Sequence, residues 1–185
     1  MAHGLDFILE CASLVQQDHI HFLLMGEGAM KTRLIAQKNQ LGLTNVTILD
    51  GIPKSEVPLY IALGDISLIN LRRKNTFTKV IPSKIFENAA MLKPILLGVE
   101  GEACQIVSSY HAGECFEPEN TESFLDTLNL MLENDNLQLD YREGSRKLAS
   151  DFSRTTLAVA MLRILNDLVD EKLLIKEASK TSLAN

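Results

Sequence analysis

The sequence predicts an α/β domain in which a parallel sheet is flanked by helices on both faces. Three observations lead there. Short apolar runs of strand length alternate with amphipathic stretches of helical spacing along most of the chain. The runs end in turn-forming residues, as at Gly26-Glu27-Gly28, Asp50-Gly51-Ile52-Pro53 and Gly98. The connections are short, and no internal repeat or low-complexity segment interrupts the alternation. A chain of 185 residues is long enough for one domain with a continuous core.

Leu5, Ile8, Leu9, Ala12 and Val15 recur at helical spacing, so the chain opens on a helix. A parallel α/β domain normally opens on a strand. The expectation is therefore that Met1 is an internal residue of a longer protein and follows such a strand; a natural start at Met1 is the alternative. Residues 21–25 form the next strand and 29–40 a helix closed by Gly42. Residues 46–49 are a strand. A short helix over 54–63 follows, with Ser55 as its cap and Pro58 in its first turn, where proline is tolerated. Residues 66–71 are a strand leading into the basic loop 72–79. After a helix from Pro82 comes a strand over 94–98, then a helix to about Tyr110 and a last short strand over 113–116. Helices over 122–133, 137–150 and 153–172 complete the domain, and 173–185 reads as a polar tail.

The segment 80–97 carries the chemistry. Pro82 suits a first helical position, leaving the amides of Ser83, Lys84 and Ile85 to point out of a positively polarised helix start that attracts anions. Ser83, Lys84 and Glu87 share one helix face. A phosphate beside a hydroxyl-bearing group would fit such a face, as would the plainer arrangement of a solvated Lys84–Glu87 ion pair. Ligands of parallel α/β sheets bind at the carboxyl ends of the strands. Gly26, Gly51, the loop at Arg72 and Gly98 lie at such ends and are expected to converge on Ser83 and Glu87.

The net charge of −6 argues against general binding to nucleic acid or anionic membrane, although Arg72, Arg73, Lys74, Lys79, Lys84 and Lys93 cluster in sequence. Cys11, Cys104 and Cys115 show no Cys-x-x-Cys spacing and read as reduced thiols of a cytoplasmic protein, with Cys115 as a small apolar core residue. His3, His19, His21 and His111 lack metal-ligand spacing, and no metal or other cofactor is expected. No apolar run approaches the roughly 18 residues of a membrane span, so direct membrane insertion is not expected.

Several stretches in order resemble a known family. They are Gly4-Leu5-Asp6, Met25-Gly26-Glu27-Gly28, Leu49-Asp50-Gly51-Ile52, Pro82-Ser83-Lys84-Ile85-Phe86-Glu87, Lys93-Pro94-Ile95 and Gly113-Glu114-Cys115-Phe116-Glu117-Pro118. Together they are similar to the retaining glycosyltransferases of family 4, and the Pro-Ser-Lys-hydrophobic-Phe-Glu element to the branch that builds bacterial surface polysaccharides, including N-acetyl-L-fucosamine transferases. The resemblance implies a Rossmann-like domain, one half of a GT-B fold. Residues 1–172 would be the nucleotide-sugar-binding domain, with the N-terminal acceptor domain absent from this sequence. The donor would be a nucleoside-diphosphate sugar, UDP-linked, and the acceptor a cell-surface polysaccharide or a lipid-linked molecule at the inner face of the membrane. The isolated domain would be inactive.

By the same resemblance Glu87 binds the ribose hydroxyls, Ser83 and Lys84 meet the pyrophosphate, and Gly51, Ile52 and Val57 receive the base. Lys79, Arg73 and Gly26 are candidates for donor-sugar or phosphate contacts. Two positions depart from the family pattern: Lys79 stands where it has a first glutamate, and His3 where it has a phosphate-binding lysine. The absence of Asp-x-Asp agrees with the expectation of no metal. The alternatives are a non-catalytic nucleotide-binding regulatory module and a GT-B-fold nucleotide-sugar epimerase.

Overall fold

The computed structural model describes residues 2–133 and 135–182, with side chains described to residue 169 except at 135. By internal contacts the chain divides into a unit of residues 1–149 and a second of residues 150–185. The first unit holds every described strand. In it the order is α1 (Leu5–Leu14), β1 (Phe22–Met25), α2 (Lys31–Gln40), β2 (Val46–Leu49), α3 (Val57–Leu63), β3 (Ser67–Asn70), α4 (Lys84–Ala90), β4 (Ile95–Gly98), α5 (Glu102–Ser109), β5 (Gly113–Cys115), α6 (Thr121–Leu132) and α7 (Asp135–Asp151), whose last two residues enter the second unit.

Every strand pairing is parallel. β1 pairs with β2, Phe22 opposite Val46, and β4 lies between β3 and β5, with Ile95 opposite both Ser67 and Gly113. The α/β class with helix-flanked parallel sheets is as the sequence predicts, but the sheet is in two pieces, of two and three strands. No described strand pairs with the outer edges of β1 and β3.

β4 organises the core. Ile95, Leu96 and Leu97 are fully buried, as a strand covered on both faces requires. Leu96 faces a cluster in which α1 supplies Phe7, Ile8 and Cys11, α6 supplies Phe124, Leu128 and Met131, and Phe116 follows β5. Alternation turns Ile95 and Leu97 to the opposite face, where α4 and α5 contribute buried Ile85, Ala89, Ala103 and Val107. A smaller cluster joins Leu9 and Ala12 of α1 to Leu34 of α2 and Val46 of β2.

α6 begins at a side-chain cap: the Asn120 carbonyl oxygen accepts from the Ser123 amide at 3.1 Å. Replacing Asn120 by alanine should lower stability by about 1 kcal/mol. Chemical denaturation measures this, and an unchanged midpoint would contradict the cap's role.

Three expectations need correction. α3 starts at Val57 with Glu56 in the cap position, so Ser55 does not cap it. The Cys104 and Cys115 sulfurs are bonded to one another across 6.0 Å between their Cα atoms, and neither is a reduced thiol; Cys11 alone is free, and it is buried. The turn between α5 and β5 sets the two side by side, which a spacing of 11 residues does not signal. The helix expected over 153–172 runs as α8 (Arg154–Ser182) into the supposed polar tail, because no glycine or proline stops it. Residues 183–185 of that tail lie outside the described residues.

In the second unit the Ser153 hydroxyl accepts from the Thr156 amide at 3.1 Å at the start of α8. Over residues 154–169 every side chain of this helix is exposed, apolar ones included. Among the described residues no helix is long and apolar enough to cross a membrane.

Candidate functional site

The carboxyl ends of the strands carry most of the residues singled out from sequence. β1 runs into Gly26, whose φ of 147° is one that side chains rarely adopt, and a Cβ there would meet nothing within 4 Å. The next residue ties this loop to the end of β2. Glu27 Oε1 accepts from the Gly51 amide at 2.9 Å and from Lys31 Nζ at 2.8 Å, and Lys31 also pairs with Asp50. Gly51 is therefore held through its backbone and remains exposed, with half-buried Ile52 beside it and half-buried Val57 opening α3.

The loop after β3 differs from its appearance in sequence. Its arginines are met by carboxylates from elsewhere in the chain. Arg72 Nη2 donates to both Asp6 oxygens at 2.6 and 2.5 Å, and its Nη1 donates to Glu119 at 3.0 Å. Arg73 pairs with Glu117 at 2.5 Å and with Glu100 at 3.5 Å. Arg72 and Arg73, two of the six basic residues of the cluster, are thus compensated. Lys74 and Lys79 stay exposed in the turn that follows. A shallow hollow between these loops is lined by Arg73, Lys74, Phe77, Thr78, Glu100 and Pro118.

Partial burial of Asp6 works to raise its pKa, but the hydrogen bonds and charge of Arg72, with backbone donors, prevail and hold the carboxyl below the usual carboxylate range. A depressed folded-state pKa gives a stabilisation that is present above the unfolded-state pKa and lost as pH falls through the folded one. The Asp6→Asn variant should therefore be less stable than the parent at neutral pH and converge with it in acid below the ordinary carboxylate range. Parallel stability curves across that range would refute the linkage.

The start of α4 supplies the third group. The helix begins at Lys84, two residues later than Pro82 suggests, because the first carbonyls turn in a tighter bend: the Ile85 amide donates to the Pro82 carbonyl at 3.1 Å and the Phe86 and Glu87 amides to that of Ser83. The Ile85 amide is consequently engaged and not free as expected. Ser83, Lys84 and Glu87 are all exposed, while Ile85 and Ala89 of the same helix are buried. Among the described residues no ion pair joins Lys84 to Glu87, so the solvated pair that the spacing allowed is not formed.

His3 comes to this same place. Asn70, the last residue of β3, donates through its side chain to the His3 carbonyl at 3.0 Å. Gly4, at a φ of 54°, brings the backbone close enough that a Cβ would lie 3.0 Å from Asn70 Nδ2. Burial and the nearby charge of Lys84 lower the His3 pKa, partly offset by a hydrogen bond to the Asn70 backbone. A histidine and a lysine thus share one electrostatic neighbourhood beside the exposed Ser83 and Glu87.

The structure therefore brings His3 near Lys84, on whose helix face Ser83 and Glu87 are exposed, and the Gly26 loop to Gly51, with Ile52 next in the chain and Val57 at the start of α3. Arg73 and Lys79 belong to the loop between β3 and α4. The residues that sequence reasoning missed are the carboxylates of Asp6, Glu100, Glu117 and Glu119, which restrain that loop. The one available signal was their charge, opposite to that of Arg72 and Arg73. Among the described residues no cluster of three or more His, Cys, Asp or Glu could hold a metal ion.

Comparison with known proteins places these features in context. A family model described as glycosyl transferases group 1 matches residues 2–148. A protein of Escherichia coli K12 named as a colanic acid biosynthesis glycosyl transferase, WcaI, is 24% identical over 127 residues, covering 66% of this chain and 30% of its own. The crystal structure of Anabaena Alr3699/HepE in complex with UDP superposes with a TM-score of 0.76 at 17% identity, over 89% of this chain and 45% of that one. The C-terminal domain of the Francisella tularensis group 1 glycosyl transferase LpcC gives 0.65 at 18% identity, over 81% and 79%. The chain thus spans less than half the length of WcaI or HepE, and the structural likenesses speak for the fold alone.

Proposed function

Since the chain belongs to the glycosyl transferases group 1 family, with a domain of the GT-B, family 4 type, we propose that the crevice at its strand ends binds a nucleoside-diphosphate sugar as donor in glycosyl transfer. The observation that carries the reading is the exposed face of Ser83, Lys84 and Glu87, free of mutual ion pairing and next to His3. A carboxylate with no cation of its own accepts hydrogen bonds from paired hydroxyls, which is what a ribose presents. Lys84 and the Ser83 hydroxyl suit phosphate oxygens. Gly51, Ile52 and Val57 form the more apolar patch to which the base is assigned.

In the reaction the leaving group is a nucleoside diphosphate, so negative charge develops on its distal phosphate in the transition state. Fixed donors and cations aimed at that phosphate lower the barrier, and Lys84 is the residue assigned this role, with Lys79 or Arg73 contributing if its loop shifts toward the ligand. Burial and Lys84 lower the His3 pKa and so favour its neutral form, in which the ring would meet a phosphate oxygen as a hydrogen-bond donor. We assign UDP as the nucleotide, supported by the UDP complex of a structural relative, retention of anomeric configuration, and an acceptor of the surface-polysaccharide or lipid-linked class, supported by the name of the colanic acid relative. Transfer would require the acceptor domain of a longer protein, and this domain alone would bind without turning over.

Calorimetry with UDP and GDP tests the reading. Saturable binding of UDP, stronger than that of GDP, is expected, and no heat from either nucleotide at millimolar concentration would refute it. Replacing Lys84 by alanine should weaken UDP binding about tenfold, or ~1.4 kcal/mol. The loss should shrink as salt rises and should be absent for uridine, which carries no phosphate. One observation favours a second reading, a nucleotide-binding module without catalysis: Lys79 stands where the resembling family has a glutamate. Nucleotide binding by a longer protein that transfers no sugar to any acceptor would support it.

A further inference from the structure

Cys104 lies in the first turn of α5 and Cys115 ends β5, and the bond between their sulfurs closes a short loop of chain around the turn at His111. Both residues are half-buried, whereas Cys11 is sealed in the core. The fold on either side does not hang on this bond. α5 is anchored by Ala103 and Val107, both fully buried. β5 is anchored by its pairing with β4, where the Ile95 amide donates to the Ala112 carbonyl and the Phe116 amide to the Leu97 carbonyl, each at 3.0 Å. The Ser108 hydroxyl lies 3.9 Å from the Cys104 sulfur and 3.8 Å from that of Cys115, a polar neighbour for either thiol once the bond is open.

The ends of the cross-linked segment carry the carboxylates that hold Arg73. Glu100 lies shortly ahead of Cys104 and Glu117 shortly after Cys115, and they meet the guanidinium at 3.5 and 2.5 Å. The same end of α5 touches the basic loop through its backbone. Gly101, at a φ of 81°, comes so close that a Cβ would lie 2.3 Å from the Thr78 carbonyl oxygen. A bond that ties α5 to β5 therefore fixes the spacing of the two carboxylates, and with it the seat of the loop 72–79.

We propose that Cys104 and Cys115 are a reversible thiol–disulfide site, opened by dithiol reductants in the folded protein, and that the bonded form holds Arg73 between Glu100 and Glu117 while the dithiol form loosens that hold. In the exchange a thiolate of the reductant attacks one of the two sulfurs. A mixed disulfide forms, the bond between Cys104 and Cys115 breaks, and the other sulfur leaves as a thiolate and takes up a proton. The second thiolate of the reductant then displaces the remaining protein sulfur, which takes up the second proton, and the reductant departs as a cyclic disulfide. Two electrons and two protons have passed from reductant to protein, and an excess of the cyclic disulfide runs the same steps backwards. The consequence for nucleotide rests on the donor site proposed above: a loosened Arg73 turns to the phosphates, so UDP binds the dithiol form more tightly. The exchange itself does not rest on that site.

Thiol counting and amide exchange on the intact chain, equilibrated with oxidised or with reduced dithiothreitol, test the proposal. Alkylation in denaturant followed by mass measurement should find Cys11 as the one reactive thiol of the oxidised sample and all three cysteines reactive in the reduced one. Without denaturant, the reduced sample should take label at Cys104 and Cys115 and not at Cys11, with unchanged circular dichroism. Amide exchange at Phe77 and Val80, whose hydrogen bonds close the turns of the basic loop, should be about fivefold faster in the reduced form, the scale of one exposed ion pair, and UDP affinity should rise by a similar factor. Three reactive thiols in the oxidised sample, labelling of Cys104 and Cys115 only after denaturation, or unfolding on reduction would overturn the exchange site. Equal amide exchange at Phe77 and Val80 in the two forms would overturn the hold on Arg73, and UDP binding of equal strength in both would overturn the regulation. A chain carrying Cys104→Ser and Cys115→Ser should match the reduced form, and loosening of its loop by dithiothreitol would also count against the proposal. Because the thiol and amide readouts need no nucleotide, absence of UDP binding in both forms would refute the donor reading alone.

Discussion

Replacing Glu87 by alanine lowers the affinity for UDP by about 1.5–3 kcal/mol, the scale of hydrogen bonds to a charged group, and leaves the fold intact. The effect is large because Glu87 is exposed on the α4 face that carries Ser83 and Lys84, and no cation among the described residues competes for its carboxylate. Stability is untouched because the side chain packs against nothing in the core, which α4 reaches through Ile85 and Ala89. The loss should fall on the ribose, so 2′,3′-dideoxy-UDP should bind the parent and the variant equally. Calorimetry on folded protein gives the answer, and full retention of UDP affinity would remove Glu87 from the site.

Replacing Phe124 by alanine destabilises the compact unit by about 3–5 kcal/mol, the range for deleting a buried aromatic ring and leaving a cavity. Phe124 is fully buried and meets Phe116 edge-on at 5.1 Å and Phe7 edge-on at 6.2 Å, with Phe22 tilted against it at 6.3 Å. These rings come from the residue after β5, from α1 and from β1, so the loss is felt on both sheets at once. Urea denaturation followed by circular dichroism should show the fall in midpoint. A change below 1 kcal/mol would mean that the four-ring cluster is not the structural centre described above.

Much of the fold could be read from local pattern because the information was local. Residues 46–49 form a strand with the bounds expected, and the helix starting near Thr121 carries Asn120, a residue that caps by its own chemistry. What the sequence hid was tertiary. Arg72 and Glu119 are 47 residues apart, and nothing in either stretch announces that the basic loop is restrained by carboxylates from two other loops and from α1. The same holds for Cys104 and Cys115, whose bond depends on how α5 returns to β5. The α4 face was legible, since helical spacing alone groups Ser83, Lys84 and Glu87. Helical spacing does not show the arrival of His3 beside Lys84, which depends on the turn at Gly4 and on the side chain of Asn70. The split between the two sheets was hidden as well.

A titration of isotope-labelled protein with UDP, followed by amide chemical-shift mapping, addresses the central claim most directly. The account predicts saturable shifts centred on Ser83, Lys84 and Glu87, with a second group at Gly51, Ile52 and Val57 and smaller changes at His3 and Asn70. Shifts centred on other surfaces, or no shifts at millimolar UDP, would contradict it.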